Sequence, residues 1–219
     1  MYTFHILTIG HLSRNRYWGE SDSIAYRRAL ATCALISGSG QQILVDPSLP
    51  EGDMPEALLN ACGLHPEDIT QVFTTHYHYD HHVSPLAFPN AKWIMPEKEL
   101  RYLEENWAEY NRVFPADKFE TLTHCSPAPQ FLAPGIEVVP LPGHTEGLCG
   151  LRFDAPEGRI LLTGDAIMNR EFYQAGEPYL FGWNDDIGRA TIASAAGTAD
   201  VIIPGHGEAF LEAPWRKKA

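Results

Sequence analysis

The chain has 219 residues, 44% hydrophobic and 20% charged, enough for one large domain with its own core, and it has no uninterrupted apolar run long enough to span a bilayer. Its 28 acidic residues exceed its 16 basic ones, and the formal charge of -12 disfavours a nucleic-acid partner, although bound divalent cations would offset acids locally. Four scattered cysteines, Cys33, Cys62, Cys125 and Cys149, form no C-x-x-C pair, so neither a disulfide framework nor a thiolate zinc knuckle is expected.

The opening decapeptide has no basic leader and reads as a first strand over Tyr2–Ile9, which sets a cytoplasmic address as the expectation. A polar, aromatic loop with Asn15, Tyr17, Trp18 and Glu20 follows. Strands are expected at Ala31–Ser37 and Gln42–Val45, the second running into Asp46. Asp53-Met54-Pro55-Glu56 offers an N-cap, an early proline and a capping-box glutamate for a helix carrying Ala57, Leu58 and Ala61. The apolar run Gln71–Thr75 then delivers the chain into His76-Tyr77-His78-Tyr79-Asp80-His81-His82.

Imidazoles and a carboxylate at H-x-H-x-D-H spacing are the ligand mixture that zinc accepts, and so many imidazoles in one turn have no structural use. Strand Lys92–Met95 leads to a helix over Pro96–Glu105, with Leu100 and Leu103 at helical spacing. The Pro-containing stretch Ser126–Pro134 marks a junction between two halves of the chain. Three further strands run into turns that each carry one metal-competent side chain. Ile136–Leu141 precedes Pro142-Gly143-His144, Arg159–Thr163 precedes Gly164-Asp165, and Asp200–Ile203 precedes Pro204-Gly205-His206. A third helix, capped by Asp185, would pack Ile187, Ala190, Ala193 and Ala196 on one face. Arg216-Lys217-Lys218 reads as a solvated terminus. Alternating strands and helices over most of the chain predict an α/β fold in a single domain, 1–219, made of two similar halves.

His76-x-His78-x-Asp80-His81, His144, Asp165 and His206, in this order and with the early Asp46, resemble the metallo-β-lactamase superfamily over Ile43 to Gly207. The resemblance implies a four-layer αβ/βα sandwich with two pseudo-symmetric halves and two divalent metal ions, Zn2+ first, with Mn2+ or Fe2+ as alternatives. It places His76, His78 and His144 on one metal, Asp80, His81 and His206 on the second, Asp165 between them, and Asp46 in support. A hydroxide bridging two such cations stays deprotonated near neutral pH, and Asp80 is the candidate for orienting it and carrying its proton.

The expected activity is hydrolysis of an ester, lactone or thioester in a small-molecule substrate, with nucleic acid and membrane disfavoured and a homodimer left open. The rivals are a mononuclear iron persulfide dioxygenase, a phosphodiesterase or ribonuclease of the same fold, and a metal-binding module without turnover. Met168 stands where the homoserine-lactone lactonases of the family place a tyrosine, three residues past the bridging aspartate, which argues against that subgroup. Substrate selectivity is expected in the Gly10–Asp22 and Met168–Trp183 loops, with Tyr17, Trp18, Tyr173 and Trp183 as candidate contacts. His82 is expected to support the site structurally rather than to bind metal.

Overall fold

The computed structural model describes residues 1–84, 87–109, 122 and 124–211. The basic stretch Arg216–Lys218 lies outside the described residues. Two six-stranded mixed sheets face each other. The first contains β1 (Thr3–Thr8), β2 (Cys33–Gly38), β3 (Gln41–Val45), β4 (Gln71–Phe73), β5 (Lys92–Met95) and β6 (Ser126–Pro127), in that spatial order. The second contains β7 (Phe131–Ala133), β8 (Ile136–Pro140), β9 (Cys149–Ala155), β10 (Gly158–Leu162), β11 (Val201–Ile203) and β12 (Phe210–Leu211), also in sequential order across the sheet.

The alternation of side chains along each strand builds the layers. Ala34, Ile36, Ile43, Val45, Phe73 and Ile94 of the first sheet meet Leu151, Phe153, Ile160, Leu162, Val201 and Ile203 of the second in one central core. Their neighbours point outward. Leu35, Leu44, Val72 and Trp93 receive Met54 and Leu58 of helix α1 (Met54–Cys62). On the far side, Leu161 and Ile202 are covered by Tyr173 of helix α3 (Arg170–Ala175) and by Ile192 and Ala195 of helix α4 (Asp185–Ala195). Helix α2 (Glu97–Glu105) packs Leu103 against Met95 and Leu122. The expected four-layer α/β sandwich is the observed fold.

Several local expectations need correction. Asp53 stands at the N-cap of α1 without a side-chain capping bond. The cap of α4 is Asn184, whose side chain accepts from the backbone N–H groups of Asp186 and Ile187, so Asp185 is the first helical residue. The buried face of α4 is Gly188, Thr191, Ile192 and Ala195, one position off the expected stripe. Helix α3 occupies part of the expected Met168–Trp183 loop, and the Ser126–Pro134 stretch holds the short strands β6 and β7.

Topology places the chemistry. β3 and β4 are parallel, as are β10 and β11, while two successive antiparallel pairings give β8 the direction of β10. The segments following these strands therefore leave at a common edge of each sheet, the usual position of ligand sites in sheets with parallel strands. Backbone bonds stitch the sheets there: Cys149 N–H donates to Thr75 O at 3.2 Å and Thr32 N–H to Gly205 O at 2.6 Å.

Candidate metal centre

Two groups of ligand-competent atoms lie at this edge, each with atoms within 4.8 Å of one another: His76, His78, His144 and Asp165, and Asp80, His81 and His206. Every metal-ligand candidate named from the sequence is thus brought into one cluster. The Asp165 carboxylate sits between the groups. Its Oδ2 is 3.3 Å from His144 Nε2 and 3.8 Å from His76 Nε2, while its Oδ1 is 3.1 Å from His81 Nε2 and 3.2 Å from His206 Nε2. Asp80 Oδ2 is 3.6 Å from His206 Nε2, and its side chain keeps 23% exposure, so it faces the open side.

The local sequence explains why these rings point inward. The backbone carbonyl of Leu30 can only accept, so at 2.8 Å it takes the Nδ1–H of His206 and turns Nε2 into the cluster, 3.3 Å from Asp165 Oδ2. Asp46 fixes two more rings. Its Oδ2 accepts from His81 Nδ1 at 2.8 Å and from the Thr75 hydroxyl at 2.9 Å, and that hydroxyl accepts in turn from His76 Nδ1 at 3.1 Å. Asp46 Oδ1 also accepts the Thr75 backbone N–H at 2.8 Å, anchoring the start of the motif to the end of β3. At Gly205, a side-chain Cβ would collide with Asp165 Oδ1 and the Gly164 backbone, so only glycine lets the His206 turn close over the aspartate.

Burial and mutual repulsion set the charge states in the first group. Burial, and then its neighbours His81 and His78, hold His76 well below the ordinary imidazole value. Burial and His144 lower His78 to about 3. These rings stay neutral, the form that binds metal. Burial acts against protonation of His81 too, but Asp165 and Asp46 outweigh it and raise that ring well above the ordinary value. His206 is raised in the same way by Asp165, against burial. Burial pushes Asp165 up, yet His206 and His81 pull it well below the usual carboxylate range.

The donor set fits a divalent cation. The buried Nε2 of His76 has no hydrogen-bond partner among the described residues, and Nε2 of His81 meets Oδ1 of Asp165 at 3.1 Å without a well-formed hydrogen bond, although such atoms in a packed interior are normally satisfied. Converging imidazole nitrogens and a shared carboxylate are a ligand mixture that zinc and iron accept, and manganese more weakly. His82 stands apart. Its Nε2 donates to Tyr77 O at 2.8 Å, tying its ring to the motif's backbone.

The candidate substrate contacts divide. Trp183 is 52% exposed and lines a cleft of 230 Å³ with His144, Tyr77, Tyr102 and Phe181. Trp18 is 54% exposed and lines a second cleft of 370 Å³ with His206, Ile9 and Arg170. Tyr17 packs edge-on against Phe172 at 4.9 Å and donates its hydroxyl to Glu177 at 3.4 Å, on the rim. Tyr173 is a correction: it is 2% exposed, in the outer core beside Ile192 and Phe210, because helix α3 turns it under α4. The two expected selectivity loops meet one another, with Trp18 Nε1 donating to Glu171 at 3.0 Å and Tyr179 OH to Arg14 O at 3.0 Å.

Two further residues stand out, Glu99 and Phe181 of the aromatic stretch after Asp165, and only Glu99 escaped the sequence reading. Phe181 is 80% exposed and holds φ at 64°, a left-handed conformation unusual for a bulky residue. Glu99 is 1% exposed on α2 and accepts three hydrogen bonds. Its one available signal was position: Glu99 lies four residues before Leu103, on the helix face that packs inward.

Residues 27–206 match the family model described as the metallo-beta-lactamase superfamily. An N-acyl homoserine lactonase from Bacillus sp is 26% identical over 161 residues, which cover 72% of this chain and 62% of the lactonase. Metallo-beta-lactamase domain-containing protein 1 from Xenopus laevis is 30% identical over 174 residues, covering 77% of this chain and 67% of that protein. The chain therefore spans about three fifths of the length of the bacterial lactonases it matches. Among solved structures, a Thermotoga maritima chain described as a candidate metallo-beta-lactamase superposes with a TM-score of 0.73 at 19% identity, covering 96% of this chain and 99% of that one. AidC, a dizinc quorum-quenching lactonase, superposes with a TM-score of 0.66 at 20% identity, covering 81% and 72%. At those identities the structural likeness speaks for the fold.

Proposed function

Since the chain belongs to the metallo-β-lactamase superfamily, we propose that it is a hydrolase using two divalent ions, zinc first, to cleave an ester, lactone or thioester of a small molecule. The observation that carries this reading is the Asp165 carboxylate between the two groups, with Oδ2 toward His144 and His76, Oδ1 toward His81, and His206 Nε2 3.2 and 3.3 Å from the two oxygens. A single-metal store has no use for a carboxylate shared in that way. His76, His78, His144 and Asp165 would hold one ion, and Asp80, His81 and His206, with Asp165, the other.

When bound, such a pair supplies Lewis acidity and makes water a nucleophile near neutral pH. The chain's own residues do the rest. Asp80, the most open of the carboxylates in the cluster, is placed to accept a proton from an attacking water and pass it to a departing oxygen or sulfur. The cleft at His144, walled by Tyr77, Phe181 and Trp183, would take an apolar acyl portion, and the cleft at His206, with Arg170, Glu171 and Glu208, a polar leaving portion. The lactonase relatives favour the cyclic ester within this class. Met168, 1% exposed beside Leu12 and Phe172, offers no hydroxyl to a lactone ring, which favours a substrate other than homoserine lactones.

The test is a panel of chromogenic esters, lactones and thioesters with the zinc-loaded protein and its Asp165→Ala variant. Turnover of a panel member, lost on chelation and absent in the variant, is the expected result. Inactivity on the whole panel, together with oxygen consumption by an iron-loaded chain given a persulfide, would replace this reading with the dioxygenase.

A further inference from the structure

His76, His81 and His206 each have the ring nitrogen that faces away from the cluster tied to a partner: the Thr75 hydroxyl, Asp46 and the Leu30 carbonyl. Among the described residues, the remaining two histidines of the first group lack such a tie. His78 Nδ1 and His144 Nε2 face each other at 2.9 Å, and His144 Nδ1 has no hydrogen-bond partner among the described residues. Something other than a ring bond has to set where these two imidazoles stand, because a ligand free to swing costs affinity when it is ordered.

The loops that carry them converge on Glu99. Its Oε2 accepts the backbone N–H of Tyr77 at 3.1 Å, the residue between His76 and His78. Its Oε1 accepts the Thr145 hydroxyl and the Gly147 backbone N–H, both at 2.8 Å, from the loop that begins with His144. A Cβ at Gly147 would lie 2.6 Å from Glu99 Oε1 and 2.6 Å from Lys98 Cβ, so glycine there is what lets α2 close against the His144 loop. Among the described residues no cation pairs with the carboxylate, and the adjacent Lys98 turns outward to Glu146 at 2.9 Å. A position 1% exposed beside Leu103 would serve packing better with an apolar side chain, and a buried acid is costly. The three converging donors explain its presence.

We propose that Glu99 is the positioning residue of the first metal group, clamping the His78 and His144 loops to one rigid helix as Asp46 clamps His76 and His81. The inference rests on the two-metal reading above. It makes a site-selective claim: loss of the Glu99 carboxylate loosens the ion held by His76, His78, His144 and Asp165, and leaves the ion held by Asp80, His81 and His206 as it was. In Glu99→Gln the shape is kept, but the amide can present an oxygen to one loop only and must turn its NH2 toward the donors of the other.

The test measures zinc affinity by competition with a chromophoric chelator, without any substrate. Glu99→Gln is placed in two backgrounds: His206→Ala, which retains the first group, and His78→Ala, which retains the second. A loss of roughly 10- to 100-fold in the His206→Ala background, with less than about a twofold change in the His78→Ala background, is expected. Thr145→Val, which removes one donor and keeps the volume, should shift affinity in the same direction by less. Equal losses in both backgrounds, or no loss in the first, would overturn the assignment. A wild-type chain that binds no zinc would overturn it together with the metal reading, which separates the two failures.

Discussion

Asp46 Oδ2 lies 2.8 Å from His81 Nδ1, with both side chains shut off from solvent. This contact determines which face of the imidazole looks into the cluster, and through Thr75 the same carboxylate reaches His76. The edge of the first sheet is therefore held to the His/Asp cluster through one acid at the end of β3.

Replacing Asp46 with asparagine should lower zinc affinity by roughly 10- to 100-fold, because the amide must present its NH2 to one of the donors that the carboxylate accepts. Chelator competition on the purified variant reads the change. Unaltered affinity would mean that the His81 ring is oriented by packing alone.

Chelation should destabilise the folded chain measurably. An ion present at about a hundred times its dissociation constant contributes about 2.7 kcal/mol to stability, so stripping it should lower the unfolding temperature by several degrees and zinc should restore it. Calorimetry with and without chelator is the measurement, and coincident transitions would count against tight binding.

Glu99 predicts a pH effect whose sign is fixed. Burial raises its carboxyl to about 6, opposed by the hydrogen bonds from Thr145, Tyr77 and Gly147. The folded chain then holds a proton there that the unfolded chain, with the ordinary value of 4.5, releases earlier. The stability of wild type relative to Glu99→Gln should therefore fall as pH rises from 4.5 toward 6, by about 2 kcal/mol in total. Urea unfolding of both chains across that range tests it, and a rising difference would contradict the assignment.

Phe181 offers a trade between stability and binding. A left-handed backbone costs a non-glycine residue about 1–2 kcal/mol, while glycine loses about 0.5–1 kcal/mol more entropy on folding, so Phe181→Gly should be neutral or slightly stabilising. Its ring is 80% exposed, so little burial is lost. On a substrate with an apolar acyl group the variant should raise KM several-fold and leave kcat nearly unchanged, read from initial rates. A fall in kcat at constant KM would move Phe181 from binding to catalysis.

The candidate ligands were legible because most of the turns that carry them follow an apolar strand, and strand ends are what a linear sequence displays best. His76, His144, Asp165 and His206 all have that grammar, as does Asp46 beside them. Glu99 did not show because its partners are two backbone N–H groups and a hydroxyl from loops 22 and 46–48 residues away, and backbone donors leave no mark in sequence. The buried face of α4 was misread by one position because Ala190, Ala193 and Ala196 fit a stripe as well as the true face does, and small residues discriminate poorly. Tyr173 and Trp183 looked alike as neighbours in an aromatic run. Only the unforeseen helix α3, capped by Asn169, sends one into the core and leaves the other at the cleft.

Elemental analysis of protein purified without added metal tests the central claim most directly. The account predicts about two divalent ions per chain, zinc foremost, falling to about one or none in Asp165→Ala as the shared carboxylate is lost. A single iron per chain, retained in that variant, would contradict it.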